Sequence, residues 1–170
     1  EDFPFIKKNF NPAGKRRFLY IGHTAWCKNI SFLEKLAEEI PEIDFAWMGG
    51  IKSLKNIDTL GIFDFSKQEA KNLIKKYDFL ITVGSSDANP TTILEAMAWG
   101  LIPVCSLQSG YEGFSGIRNI SIDNIENAVE TINNLQSAPE EQLKKWQQEN
   151  LTKLENHFNW DRFCGQVLNV

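Results

Sequence analysis

Cysteine is scarce, and Cys27, Cys105 and Cys164 are odd in number with no C-x-x-C spacing. That pattern excludes a disulfide framework and a paired-cysteine zinc site, and it points to the cytosol as the compartment. Long apolar runs are missing as well. No stretch approaches the roughly 20 apolar residues of a membrane span, and no basic region followed by an apolar run stands at the start. Basic clusters are rare: Lys15, Arg16 and Arg17 form the largest, and the formal net charge is -4. A duplex-binding surface needs a stripe of Lys and Arg, so no nucleic-acid partner is expected. There is no internal repeat, low-complexity tract or Pro-rich linker. The chain opens on Glu1-Asp2-Phe3-Pro4 rather than methionine, from which we expect upstream sequence to have been removed.

What is present is ordinary globular material, 42% apolar and 24% charged over 170 residues. This suits one domain, with residues 1–16 as a lead-in segment and 137–170 as C-terminal helices that pack. Short continuous apolar runs at 18–21, 43–48, 79–83, 102–105 and 117–122 read as buried strands, with a weaker strand at 61–65. Helical patterns lie between them, at about 32–40, 67–76, 90–99 and from 123 to about 135, with a long one after 137. Four of these open on a Ser or Asp with Glu three residues on (Ser31/Glu34, Ser66/Glu69, Asp123/Glu126, Ser137/Glu140), the capping-box spacing. Pro90 suits a first helical position with Asn89 as N-cap, and Gly100 suits the C-terminal end. Strands that are apolar throughout and separated by single helices predict a doubly wound α/β fold with a mostly parallel sheet, Rossmann-like. Ligands of such sheets sit beyond the carboxyl ends of the strands, which directs attention to residues 22–29, 49–55, 84–89 and 106–113.

The stretch from Gly84 to Val104 is the most informative. A helix opening at Pro90 presents free N–H groups and a partial positive charge, so the backbone at Thr91 and Thr92 is a seat for phosphate, and their hydroxyls add donors. Glu95 lies one turn beyond Thr91 on the same face, where a carboxylate suits sugar hydroxyls. Upstream, Gly22 closes the first strand, and Lys28 precedes a helix start where an ammonium can complete an anion site.

This segment, with Asp87, then Leu94-Glu95-Ala96-Met97-Ala98-Trp99-Gly100 and Pro103-Val104, resembles the acid-x7-Glu motif in the C-terminal, donor-binding domain of retaining GT-B glycosyltransferases of the group 1 or family 4 type. The resemblance implies that Asp87 contacts donor-sugar hydroxyls and Glu95 the ribose. It also implies that Gly22, His23 and Lys28 clamp the diphosphate, and that Asn89, Pro90, Thr91 and Thr92 complete the nucleotide-sugar site. Asp87 stands where Glu is more usual. His23 stands where the family has Arg, losing a permanently charged fork; an imidazole is cationic only in mildly acidic solution, so donor affinity is expected to rise as pH falls.

By the same resemblance the reaction moves a sugar from a nucleotide-diphosphate donor to an acceptor with retention. It needs no metal or other cofactor. The acceptor site belongs to an N-terminal domain absent from these residues, so the isolated domain should bind without turning over; peripheral membrane association of the full enzyme is compatible with this. Gly49-Gly50 matches a turn close to the nucleotide, Phe63-Asp64-Phe65 the region that receives the base, and residues 109–113 a loop beside the sugar. Asn159-Trp160-Asp161 matches an aromatic segment near the family's C-terminus. Trp26, Trp47, Trp99, Trp146 and Trp160, scattered over different elements, read as core or helix-packing groups. Two other classes remain as alternatives: half of a nucleotide-sugar epimerase, and a non-catalytic nucleotide-binding α/β module or degenerate structural relative. A receiver domain fails, because Gly22-His23-Thr24 lacks an acidic cluster.

Overall fold

The computed structural model describes residues 4–88 and 90–158. Asn89, the 159–161 segment with Trp160, and Cys164 lie outside the described residues. Six strands form one sheet: β1 (Arg17–Ile21), β2 (Asp44–Met48), β3 (Asp58–Gly61), β4 (Phe79–Thr82), β5 (Ile102–Ser106) and β6 (Arg118–Ile120). Their order is β3-β2-β1-β4-β5-β6, and every neighbouring pair is parallel. The helices are α1 (Ile30–Glu39), α2 (Gln68–Ile74), α3 (Thr91–Trp99), α4 (Ile125–Ser137) and α5 (Glu140–His157). The chain therefore adopts the doubly wound α/β architecture that its strand pattern predicts.

Both faces of the sheet are covered, which is why its central strands carry no polar alternation. Successive side chains of a strand point to opposite faces. Phe18 and Tyr20 join Leu33, Leu36, Phe45, Phe79 and Ile132 in one core, while Leu19 and Ile21 join Met48, Leu80, Ile93, Met97 and Trp99 in the other. Phe18 stacks on Phe79 at 4.7 Å between ring centroids, tying β1 to β4.

Several local expectations are corrected. β3 lies at Asp58–Gly61 rather than 61–65; this four-residue strand is polar and at most half-buried at the sheet edge, so no apolar run marks it. None of the four Ser or Asp residues proposed as caps is an N-cap. α1 starts early, from Asn29, which leaves Ser31 inside the helix and Glu34 accepting from the Lys55 N–H instead. Ser66 is engaged by Asp64, whose Oδ1 accepts from both its N–H and its hydroxyl. α4 is capped by Asn124, whose Oδ1 accepts from Asn127 N at 2.9 Å, one residue after Asp123. Ser137 ends α4, its hydroxyl donating to the Asn133 carbonyl, and α5 opens from Pro139. Pro90 likewise occupies the N-cap rather than the first helical position of α3. Gly100 ends α3 in the left-handed conformation, φ 86°, as expected. Trp47 and Trp99 are core residues and Trp146 is half-buried, but Trp26 is exposed, because its 3-10 turn (Trp26–Lys28) buries nothing.

The lead-in segment is held to the domain by one carboxylate. Asp78, fully buried where β4 begins, accepts from Asn11 N and Nδ2 (2.8 and 2.7 Å), from Arg17 N (2.9 Å) and from the ammonium of buried Lys7 (3.0 Å). Its own N–H donates to the Arg17 carbonyl and its carbonyl accepts from Ile102 N, so the same residue stitches β1 to β4 and β4 to β5. At the other end of the lead-in, Ile6 N and Lys7 N both donate to the Trp99 carbonyl at the end of α3. α5 reinforces this region: Gln147 Nε2 donates to the carbonyls of Lys7 and Gly100. Removing one partner of a buried pair strands the other charge. Asp78→Ala is therefore expected to cost about 3–5 kcal/mol in urea unfolding, with Asp78→Asn, which keeps part of the hydrogen bonding, losing less.

Candidate functional site

In the strand order β3-β2-β1-β4-β5-β6, successive strands run outward in opposite directions from the β1/β4 boundary. The chain leaves β1 and β4 on opposite faces there, so the loops beyond their carboxyl ends part and leave a crevice. One wall is residues 22–29 after β1, and the other is residues 83–90 leading into α3.

The β1 wall is rigidly organised. Gly22 N donates to the Met48 carbonyl, and the Gly22 carbonyl accepts the indole N–H of Trp47 at 2.7 Å. A Cβ on Gly49, at φ +142°, would stand 2.1 Å from that carbonyl. The close approach demanded of Gly49 is thus to the neighbouring loop, which accounts for the glycine without a nucleotide. Tyr20 Oη donates to the His23 carbonyl at 2.6 Å, and burial, with the nearby charge of Asp87 adding to it, pushes the phenol well above its ordinary pKa, so the proton stays. The His23 ring is exposed, and its Nδ1 accepts from Ala25 N at 3.2 Å. The ring is thereby held with its proton on Nε2.

The two walls meet through an ion pair. Lys28, closing the 3-10 turn, places its Nζ 2.6 Å from Asp87 Oδ2, with the two side chains only 19% and 17% exposed. Backbone contacts set this geometry: Ser85 N donates to the Cys27 carbonyl at 3.0 Å, and a Cβ on Gly84 would crowd Asp87 Cβ at 2.7 Å. Lys28 and Asp87, 59 residues apart in sequence, thus face each other across the switch point.

α3 completes the crevice. Ile93 N donates to the Pro90 carbonyl, while the N–H groups of Thr91 and Thr92 have no partner among the described residues. One turn on, Glu95 is half-buried, with no hydrogen bond or ion pair among the described residues, and burial holds its carboxyl above the ordinary value. The loop after β5, to which the sequence pattern directs attention, makes its own contacts with the β4 loop and the start of α3. Ser106, buried at the end of β5, donates to the Gly84 carbonyl at 2.6 Å and meets Ser109 at 3.2 Å, and Tyr111 Oη reaches the Pro90 carbonyl at 3.5 Å.

The three residues of the segment expected to receive the base are engaged within the fold. Phe63 and Phe65 pack against the core, Phe65 with its ring 5.7 Å from that of Trp99. Asp64 is turned to Ser66, whose hydrogen bonds lower its pKa. Among the described residues, no group of three or more His, Cys, Asp or Glu could hold a metal ion. No helix among them is long and apolar enough to cross a membrane.

No protein-family model matches the sequence, and no curated protein matches it. Solved structures do match. A sucrose-phosphate synthase from Thermosynechococcus elongatus superposes with TM-score 0.75 at 15% identity, over 94% of this chain and 46% of that one. An alpha-glucosyltransferase in complex with UDP-glucose and abasic-site DNA gives 0.68 at 15% identity, over 90% of this chain and 51% of that one. The chain thus spans about half the length of these two proteins. The C-terminal domain of a glycosyl transferase group 1 family protein from Francisella tularensis gives 0.69 at 12% identity, over 94% of this chain and 99% of that one. The fold is therefore the Rossmann-like α/β fold found in glycosyltransferases of the GT-B kind.

Proposed function

We propose that this chain is the donor-binding half of a retaining glycosyltransferase, which takes a sugar from a nucleotide-diphosphate donor and passes it to an acceptor held by a separate N-terminal domain. The observation that carries the reading is the crevice at the β1/β4 boundary. There the loops after β1 and β4 carry Lys28 and the start of α3, whose Thr91 and Thr92 N–H groups have no partner among the described residues, and half-buried Glu95, also without one among them, lies one turn along α3. Amides at a helix start and one ammonium suit a diphosphate. A carboxylate kept desolvated without a partner is costly to the fold and is the kind of group a ligand's hydroxyls relieve. Similarity to the group 1 C-terminal domain, and to an alpha-glucosyltransferase solved with UDP-glucose, supports this choice over an epimerase half or a non-catalytic module. As part of the same reading, we place the enzyme in the cytosol.

In this mechanism the diphosphate leaves with the bonding electrons of the anomeric C–O bond. Its growing charge is met by Lys28 and the α3 amides, which are in place before the reaction begins. Lys28 must then divide its charge between Asp87 and the diphosphate. Asp87, released in part, has its carboxylate free for donor-sugar hydroxyls, and Glu95 takes the ribose. His23, its ring exposed, supplies an imidazole N–H where a guanidinium would supply a permanent charged fork. The acceptor and any group acting at the reacting carbon come from the other domain, so this half binds donor but does not turn it over.

Calorimetry against UDP-, GDP-, ADP- and CMP-sugars is expected to show binding of at least one nucleoside-diphosphate sugar and weaker binding by Lys28→Ala, by about tenfold or more for loss of a charge-assisted contact. No binding across the panel refutes the reading. Asp87→Asn is expected to tighten the bare nucleoside diphosphate, by freeing Lys28, while narrowing the preference for the nucleotide sugar over it; a change in neither sets the Asp87 role aside.

Glu95 makes an independent prediction through stability. Its folded-state pKa is raised, so between the unfolded and folded values the folded chain holds more protons, and stability falls as pH rises through that window. Above it the full cost of the buried charge is present. Glu95→Gln is thus expected to raise the thermal midpoint at neutral pH, to lose that advantage as the pH falls below the ordinary carboxyl range, and to weaken nucleotide binding. A variant destabilised at neutral pH would make Glu95 a structural residue.

A further inference from the structure

The loop after β1, which carries Lys28, also lines a cavity of about 270 Å3 that contains none of Lys28, Asp87, Thr91, Thr92 and Glu95. Its lining includes Thr24, Trp26, Asn29, Ser31, Glu34 and Lys52. Trp26 is 82% exposed, although Trp is a residue that folding normally covers to a large extent. Nothing in the fold requires the indole there, since its 3-10 turn contains no buried residue.

The polar lining is uncommitted. The side chains of Thr24, Asn29, Ser31 and Lys52 have no hydrogen-bond or ion-pair partner among the described residues, and Glu34 uses one oxygen, Oε1, on Lys55 N. Asn29 is the most telling of these. It holds the N-cap position of α1, where an Asn side chain ordinarily accepts from the helix amides, yet it makes no such bond. It also adopts φ 53°, ψ 42°, a left-handed conformation that costs a non-glycine residue energy. The same residue closes the 3-10 turn, its N–H donating to the Trp26 carbonyl, so its backbone is fixed while its side-chain amide is left without a partner among the described residues.

From these residues we infer that the cavity is a carbohydrate subsite, taking one pyranose ring against the indole of Trp26. A pyranose has an apolar C–H face and a rim of hydroxyls that both donate and accept. The cavity offers the matching set: an exposed indole face, one ammonium as donor, one carboxylate oxygen as acceptor, and hydroxyl and amide groups that do both. The balance of Lys52 against Glu34 gives no preference for an anion, and the polar lining disfavours an apolar partner segment. The volume lies just under the range of about 300–1,000 Å3 that holds drug-sized ligands, which fits a single sugar ring and not a nucleotide. The subsite is independent of the nucleotide, so it stands or falls separately from the donor reading.

Titration of the isotope-labelled chain with maltose and with methyl α-glucopyranoside, without nucleotide, tests this by NMR. Expected are saturable shifts of the Trp26 indole N–H and of the Asn29 and Ser31 amides at millimolar sugar. Trp26→Ala should lower the affinity about tenfold and Trp26→Phe less. Asn29→Gly, which relieves the backbone and keeps the fold, should also weaken binding. Shifts that do not saturate, shifts confined to the Lys28 and Thr91 side, or equal affinity in Trp26→Ala overturn the inference. So do Trp26 shifts that follow protein concentration without sugar, which would mean that the indole packs against a second copy.

Discussion

The boundary between β1 and β4 is the constraint on which the structure turns. At its lower end Asp78 is sealed from water and engaged by four donors from the lead-in and β1. At its upper end the two strands deliver Lys28 and Asp87 to opposite walls of an open crevice. A buried carboxylate is tolerable only when its lone pairs are filled. Filling them with groups from residues 7, 11 and 17 clamps the strand ends, so the loops above can part without the sheet opening. The clamp stiffens the end of the sheet opposite those loops.

The two ends treat charge differently. Asp78 has no ligand to wait for, and its four contacts make it a structural element. Lys28 and Asp87 are also close and mostly covered, yet each has a single ionic partner, the other, and the N–H groups of Thr91 and Thr92 beside them have none among the described residues. Such a pair holds two loops in register while remaining able to exchange partners with an incoming anion. Glu95 adds a half-buried carboxyl that has no partner among the described residues. Features that lower stability therefore gather on one side of the molecule, where strain and unmet polarity are most often found in proteins that bind something.

How much of this was readable in advance depends on the physical signal involved. Strands buried on both faces announce themselves as apolar runs, so β1, β2, β4 and β5 and the doubly wound class were legible, as was the turn at Gly100. β3 was misplaced because an edge strand with the composition Asp-Thr-Leu-Gly carries no such run. The capping residues were misassigned for a shared reason. Ser and Asp compete for several local partners, so a correct three-residue spacing does not say which amide is captured: Ser66 went to Asp64, Ser137 to the preceding turn, and Asn124 rather than Asp123 took the α4 amide. Motif spacing names Lys28, Asp87, Thr91, Thr92 and Glu95 as candidates. That Lys28 and Asp87 would touch was not legible, because their meeting follows from the parallel register of β1 with β4. The Asp78 hub was equally invisible, its donors lying 61 to 71 residues away.

The two hydrogen bonds that the lead-in makes to the Trp99 carbonyl have a mechanical meaning. They grip the last turn of α3, while the first turn of the same nine-residue helix presents Thr91 and Thr92 to the crevice. A helix this short behaves as a rod, so a pull on residues 6 and 7 is felt as axial travel at the opposite tip. Tension on residues 6 and 7 and the position of Thr91 and Thr92 are two ends of one lever.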